Sequence, residues 1–166
     1  FYQDKQTSMI ERCLLASTEI ANLEVLNPST AAATVAELGS LRVTRMIITD
    51  QSGLAIYDSL TEGSALGTYV LLPEIVSAMD GQNVFTWQYH DGAMLSRAAT
   101  PIVSYGTLIG CVYMTEYNTA QGALLQSLQA NILTITLILE LIVILFSIAF
   151  SNAFSRRLRR ILTSMR

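Results

Sequence analysis

The chain has 166 residues, 51% of them hydrophobic, with 13 acidic side chains, 10 basic ones and a single histidine. The charge is split: the last eleven residues hold five arginines and no acid, while the remainder carries 13 acids against 5 bases, a net charge of −8. An acidic main part argues against a nucleic-acid partner, which needs a basic face, and two cysteines with one histidine argue against a disulfide scaffold or a metal site built from Cys and His.

The chain opens on Phe1-Tyr2-Gln3 with no initiator Met and no signal peptide. Export of the main part of the chain implies a signal or membrane helix upstream, and Phe1 and Tyr2 suit the interfacial end of such a helix. Residues 2 to about 26 read as a long helix. Met9, Cys13, Ala16, Ile20 and Leu23 recur at steps of 4, 3, 4 and 3, an apolar seam of heptad type. Ile10, Leu14, Ala21 and Val25 add a second strip, so the helix presents either one broad core-facing stripe or one strip to a sheet and one to a partner helix. Asn27-Pro28-Ser29 ends it, because proline disfavours helical geometry in the residue before it. Ser29 or Thr30 can then cap a short helix over Ala31–Leu38, which Gly39 can close.

Arg42–Thr49 is rich in β-branched residues, Asp50-Gln51-Ser52-Gly53 is a turn, and Leu54–Asp58 returns as a strand, which together predict a hairpin. Thr61–Tyr69 is a loop, and Pro73 opens a short helix that ends near Asp80-Gly81. Val84–Tyr89 alternates, placing Phe85, Trp87 and Tyr89 on one face. His90-Asp91-Gly92 and Tyr105-Gly106 then turn the chain through Ala93–Ser104 and Thr107–Tyr117. Five strands result: a hairpin, a helical insertion, then a three-stranded meander.

After Asn118 or Thr119 as cap, Ala120–Asn131 is helical and runs into Ile132–Phe154, 23 almost wholly apolar residues. As a helix this stretch covers about 35 Å, enough for a bilayer core of about 30 Å. Arg156, Arg157, Arg159 and Arg160 follow it, and the positive-inside tendency puts that end in the cytoplasm and residues 1–131 outside. Glu140 lies mid-span with Thr136 on the same face. An acid there is costly in lipid and is expected to face a helix partner or water, serving helix pairing or signalling.

The element order, with RMIITDQSGLAIYDS (Arg45–Ser59), the MDG of Met79–Gly81 and AATPIVSYGTLIGCVYM (Ala98–Met114), resembles the extracytoplasmic PAS-like sensor domains, also called single Cache or PDC domains, of bacterial membrane receptors. Residues 155–166 resemble the opening of a HAMP linker, though without the proline that linker carries near the position of Arg160. The resemblance implies an α+β fold: a PAS-like five-stranded antiparallel sheet with a long N-terminal helix and a helical insertion, followed by one C-terminal transmembrane helix. It divides the chain into a sensor domain (1–131), a span (132–154) and a cytoplasmic linker (155–166). It implies a sensor histidine kinase of a two-component system, with a kinase domain beyond residue 166 and a response regulator downstream. Chemoreceptors and cyclic-dinucleotide enzymes share the layout. A homodimer is implied, packed through Met9, Cys13, Ala16, Ile20 and Leu23 and through the membrane helices.

The residues themselves show no catalytic constellation, and no cofactor is expected. His90 sits in a turn, and Asp50, Asp58, Asp80 and Asp91 lie where short side chains bond their own backbone. A hydrolase would need Ser or Cys within reach of His90. For a small ligand, Trp87, Tyr89 and Tyr57 are the candidate aromatic walls and Arg97 and Arg45 the candidate polar contacts. Arg97, mid-strand between Leu95 and Ala99, either meets a ligand carboxylate or pairs with an internal acid such as Asp58 or Glu74. A membrane-anchored interaction domain with no small ligand is the competing reading. Cys13 and Cys111 allow one bridge, but their apolar neighbours favour two buried thiols.

Overall fold

The computed structural model describes residues 2–39 and 41–164, and side chains from Gln3 to Ser151 apart from Ser40, Gln121, Gly122 and Leu125. Helix α1 spans Tyr2–Ala21, five residues shorter than its apolar pattern. The hydroxyl of Ser104 donates to the Ala21 carbonyl at 2.9 Å, and the chain turns there to bring Leu23 and Leu26 back onto the core. Helix α2 covers Pro28–Leu38. Its cap is Asn27, not Ser29 or Thr30: the Asn27 side chain accepts from the Thr30 amide at 2.9 Å while the Thr30 hydroxyl accepts from the Asn27 amide at 3.1 Å. Pro28 therefore starts this helix at its first position, where a missing N–H costs nothing.

Strands β1 (Arg45–Asp50) and β2 (Ala55–Asp58) form the expected hairpin around Asp50. The Asp50 carboxylate accepts from the amides of Ser52 and Leu54 at 2.8 and 3.0 Å, and Gly53 takes the positive φ of 85° that closes the turn. Helix α3 (Pro73–Met79) follows, then β3 (Val84–His90), β4 (Ala93–Ser104) and β5 (Thr107–Asn118). All pairings are antiparallel, in the order β2-β1-β5-β4-β3. The five-stranded α+β architecture expected from the sequence is the one observed.

The sheet separates two cores. On one face Met46, Ile48, Ala98, Val112 and Met114 meet Met9, Cys13, Ala16 and Ile20 of α1 and Ala31 of α2. On the other, Ile47, Ala55, Ala99, Cys111 and Tyr113 meet Ile75 and Ala78 of α3. This corrects the expected dimer seam. Met9, Cys13, Ala16 and Ile20 are fully buried against their own sheet, so these four have no surface left for a second subunit, and Leu23 packs partly buried beside them. Cys13 and Cys111 are both unpaired and belong to cores on opposite sides of the sheet. Burial pushes each thiol up to about 12.

The chain divides into two units, Phe1–Gly122 and Ala123–Arg166. The second is the body of α4 (Thr119–Ser164). Among the described residues, one stretch, Gln126–Ser151, is long and apolar enough to cross a membrane, and none of it is buried. The arginines at 156, 157, 159 and 160, with the HAMP-like reading of 155–166, lie outside the described side chains, as does Phe1.

Candidate functional site: a charged row on the insertion side of the sheet

Antiparallel partners share a face, so the register assigns each candidate side chain to a side. Arg45 pairs with Thr115, Thr115 with Arg97, and Arg97 with Thr86. These four residues form a row across β1, β5, β4 and β3 on the α3 side, one step beyond the row that contains Ile47, Tyr113 and Ala99. Two acids complete the cluster. Asp58 comes from β2, opposite Ile47. Glu74 comes from the first turn of α3, whose start is set by Pro73.

Arg45 and Asp58 form a two-pronged pair, with Nε donating to Oδ1 at 3.1 Å and Nη2 to Oδ2 at 2.6 Å. The Asp58 side chain is wholly enclosed and also accepts from the amides of Leu60 and Ala65, at 3.0 and 2.7 Å. Burial alone would raise its pKa. The Arg45 hydrogen bonds and the two amides outweigh that and hold the carboxyl below its ordinary value, while the same bond raises Arg45. Asp58 is thus an anchor that ties the loop after β2 to the sheet.

The second pair is looser. Glu74 is almost fully buried and accepts from the Thr86 hydroxyl at 2.6 Å, while Arg97 Nη1 stands 3.6 Å from the same oxygen. That is close enough for an ion pair but too long for a hydrogen bond. The Arg97 side chain remains 33% exposed. Tyr113 lies against the cluster. Burial raises its phenol and the charge of Glu74 adds to this, while the Thr115 hydroxyl and the two guanidiniums act in the opposite sense.

The structure brings Arg45 and Arg97 to one face and leaves the aromatic candidates on the other. Trp87 is in register with Ser96 and Glu116, and Glu116 is held from α1 by Lys5 and, at 3.1 Å, by Arg12. Trp87, Tyr89 two residues on, and Tyr57 opposite Ile48 therefore sit on the α1 side. Tyr57 packs on the edge of the α1 core, while Trp87 and Tyr89 are 46% and 37% exposed. Strand alternation correctly put Trp87 and Tyr89 on one face, but it does not reveal that Arg97 faces the other way. The residues sequence reading missed are Thr86, Tyr113 and Thr115, which join the site through cross-strand register. His90 is exposed in its turn, its Nε2 lying 3.1 Å from Asp91 Oδ2.

A long helix and a sheet enclosing one core, with a short helical insertion over the second face, make up an α+β fold of PAS-like architecture. Comparison with family models and with curated proteins finds no match. Among solved structures, the chain is similar to the ligand-binding domain of the Pseudomonas aeruginosa amino-acid chemoreceptor PctC in complex with GABA, at TM-score 0.53 and 16% identity, covering 69% of this chain and 54% of that one. It is similar to the ligand-binding domain of the Pseudomonas fluorescens chemoreceptor CtaA in complex with L-valine, at TM-score 0.51 and 18% identity, covering 69% and 53%. The E. coli DcuS sensor domain gives TM-score 0.49 at 17% identity over 67% of this chain and 90% of that one. The chain thus spans about half the length of the two chemoreceptor domains.

Proposed function

We propose that this chain is the sensing and transmembrane part of a bacterial membrane receptor, with residues 1–131 extracytoplasmic and the C-terminus in the cytoplasm. The observation that carries this reading is the path of β5. Thr115 of the charged row and Tyr113 of the row beside it lie on a strand hydrogen-bonded on both sides, and that strand passes at Asn118 directly into α4, which contains the apolar stretch Gln126–Ser151. A ligand that prefers one arrangement of the row biases the start of the exit helix. Differential affinity of this kind is the only way binding can shift an equilibrium.

The chemistry of the row selects a small solute bearing a carboxylate. Arg97 is the receiving group, because its ion pair with Glu74 lacks hydrogen-bond geometry and its side chain is partly open. With Glu74 beside it, a zwitterion is matched at both ends, the class to which the GABA and L-valine of the two similar domains belong. Trp87, Tyr89 and Tyr57 are set aside as walls of this site. The output is a histidine kinase acting on a response regulator. A chemoreceptor output is the second reading, favoured by the two neighbours above TM-score 0.5.

A thermal-unfolding screen of the detergent-solubilised chain against amino acids and dicarboxylates tests this. At saturating ligand, about 100 times Kd, one class stabilises the fold by about 2.7 kcal/mol, and Arg97→Ala abolishes the shift while the chain still melts cooperatively. A response in Arg97→Ala equal to that of the parent chain overturns the assignment of Arg97. No shift with any solute favours an interaction domain without a small ligand.

A further inference from the structure

Strand β3 stops at Val84, opposite Ala99, so from Thr100 onward the outer edge of β4 has no strand beside it among the described residues. The segment before β3 and the second half of α1 close in on that notch and leave a cleft of about 400 Å³. Small-molecule sites run from roughly 300 to 1,000 Å³. The polar lining comes from three places: Ser17 and Thr18 of α1 with Asn22 just beyond it, Asn83 before β3, and Thr100 of β4. None of the lining side chains is charged, and Leu14 and Val103 form apolar flanks. Ser17 and Thr18 each donate to the Leu14 carbonyl, at 3.0 and 2.8 Å, which leaves both oxygens able to accept. The side-chain amides of Asn22 and Asn83 have no hydrogen-bond partner among the described residues, and each can both donate and accept. Thr100 forms the floor. The residue is 1% exposed and its hydroxyl makes no hydrogen bond of ordinary geometry, while the neighbouring Cys13 thiol donates to the Ala98 carbonyl at 3.7 Å. A buried hydroxyl left unmatched is costly until a partner reaches it.

We propose that this cleft is a second binding site, for a neutral, hydroxyl-rich solute of about monosaccharide size. The absence of charge from its lining selects the class. A carboxylate or an ammonium group brought here would leave water without meeting a counter-charge, a loss that hydroxyls and amides do not offset. A polyol suffers no such loss. Its hydroxyls donate to the Ser17 and Thr18 oxygens and exchange hydrogen bonds with the two amides, while its C–H faces lie against Leu14 and Val103. One hydroxyl reaching the floor supplies Thr100 with its missing partner. The cleft is separate from the charged row. Thr100 is in register with Val112, and Val112 with Ile48, on the α1 side of the sheet, whereas Arg97 faces α3. The two sites therefore stand or fall independently. A solute held between α1 and β4 bridges the helix to the sheet at the edge that β3 leaves uncovered.

Saturation-transfer NMR on the detergent-solubilised full chain tests this, with D-glucose, D-ribose and myo-inositol as probes. D-Glucuronate and D-glucosamine in its ammonium form serve as charged counterparts of glucose. Melting is the wrong readout, because sugars stabilise proteins in general by exclusion from their surfaces. At least one neutral probe is expected to give a saturable signal, with its charged counterparts bound at least about tenfold more weakly. Thr18→Trp fills the cleft from the exposed side of α1 and is expected to abolish that signal. Asn22→Ala and Asn83→Ala, both at exposed positions, are each expected to weaken binding about tenfold, and they keep the proposal falsifiable should Thr18→Trp misfold. Arg97→Ala leaves binding unchanged. No saturable signal from any neutral probe, equal binding of the charged counterparts, or undiminished binding in both asparagine variants overturns the proposal. Loss of the signal in Arg97→Ala puts the solute in the charged row and overturns it as well.

Discussion

Asp58 and Arg97 are each half of an Arg–acid pair on one face, and burial gives them different tasks. Asp58 is enclosed and accepts four hydrogen bonds, so replacing it with alanine strips Arg45 of its partner and orphans the Leu60 and Ala65 amides. Breaking such a pair costs about 3 kcal/mol, read as a fall in the urea midpoint at pH 7. The pH dependence comes from the depressed carboxyl. On acidification the unfolded chain takes up the proton first, so the stabilisation is complete above the ordinary carboxylate range near pH 4 and is lost as pH falls through that value towards the lower one of the folded state. Asp50 and Glu116 are shifted the same way, so Asp58→Asn is expected to flatten the acid limb of the stability profile only in part. An unchanged acid limb in Asp58→Asn would show that the pair contributes nothing to it.

Helix α1 carries two consequences at the level of an element. Its heptad-spaced residues face the sheet, and its outer side, with Glu11 and Thr18 beside the exposed Leu14 and Leu15, meets solvent. Ile20→Ala is therefore expected to lower folding stability by roughly 3 kcal/mol through loss of core contacts and a residual cavity, while leaving the oligomeric state in detergent unchanged by light scattering. Reduced association at unchanged stability would restore the seam as a subunit interface. The second consequence concerns position: Lys5 and Arg12 bind Glu116 two residues before β5 ends, which fastens the start of the chain to the strand that becomes the exit helix. Strand β5 tolerates little change nearby, since a Cβ on Gly110 would come within 2.1 Å of the Thr49 carbonyl oxygen of β1.

For the whole molecule, the buried residues of both hydrophobic cores, among the described residues, lie between Met9 and Met114. A chain ending at Gly122 is accordingly expected to fold and to melt cooperatively within a few degrees of the full chain, followed by circular dichroism in buffer without detergent. Failure of that chain to fold would mean that the second unit supplies stability through contacts outside the two cores. Helix α4 is the continuous element that runs from the first unit into the second.

The sequence by itself determined the element order, because each signal is local. Alternation marks the strands, Pro28 marks a break between two helices, Pro73 marks a helix start, Gly53 marks a turn, and an apolar run of this length marks a candidate span. It also named both acids, Asp58 and Glu74, that the arginines meet. Only the tertiary structure decided which face each side chain takes. Register between strands far apart in the chain sets Arg97 beside Thr115 and across from the aromatic face, and no local pattern encodes that pairing. The fate of the Met9–Ile20 seam was open for the same reason. A 3–4 apolar repeat states that a helix must be covered along one side, and whether the cover is its own sheet or another subunit is settled by what the rest of the chain brings to that side.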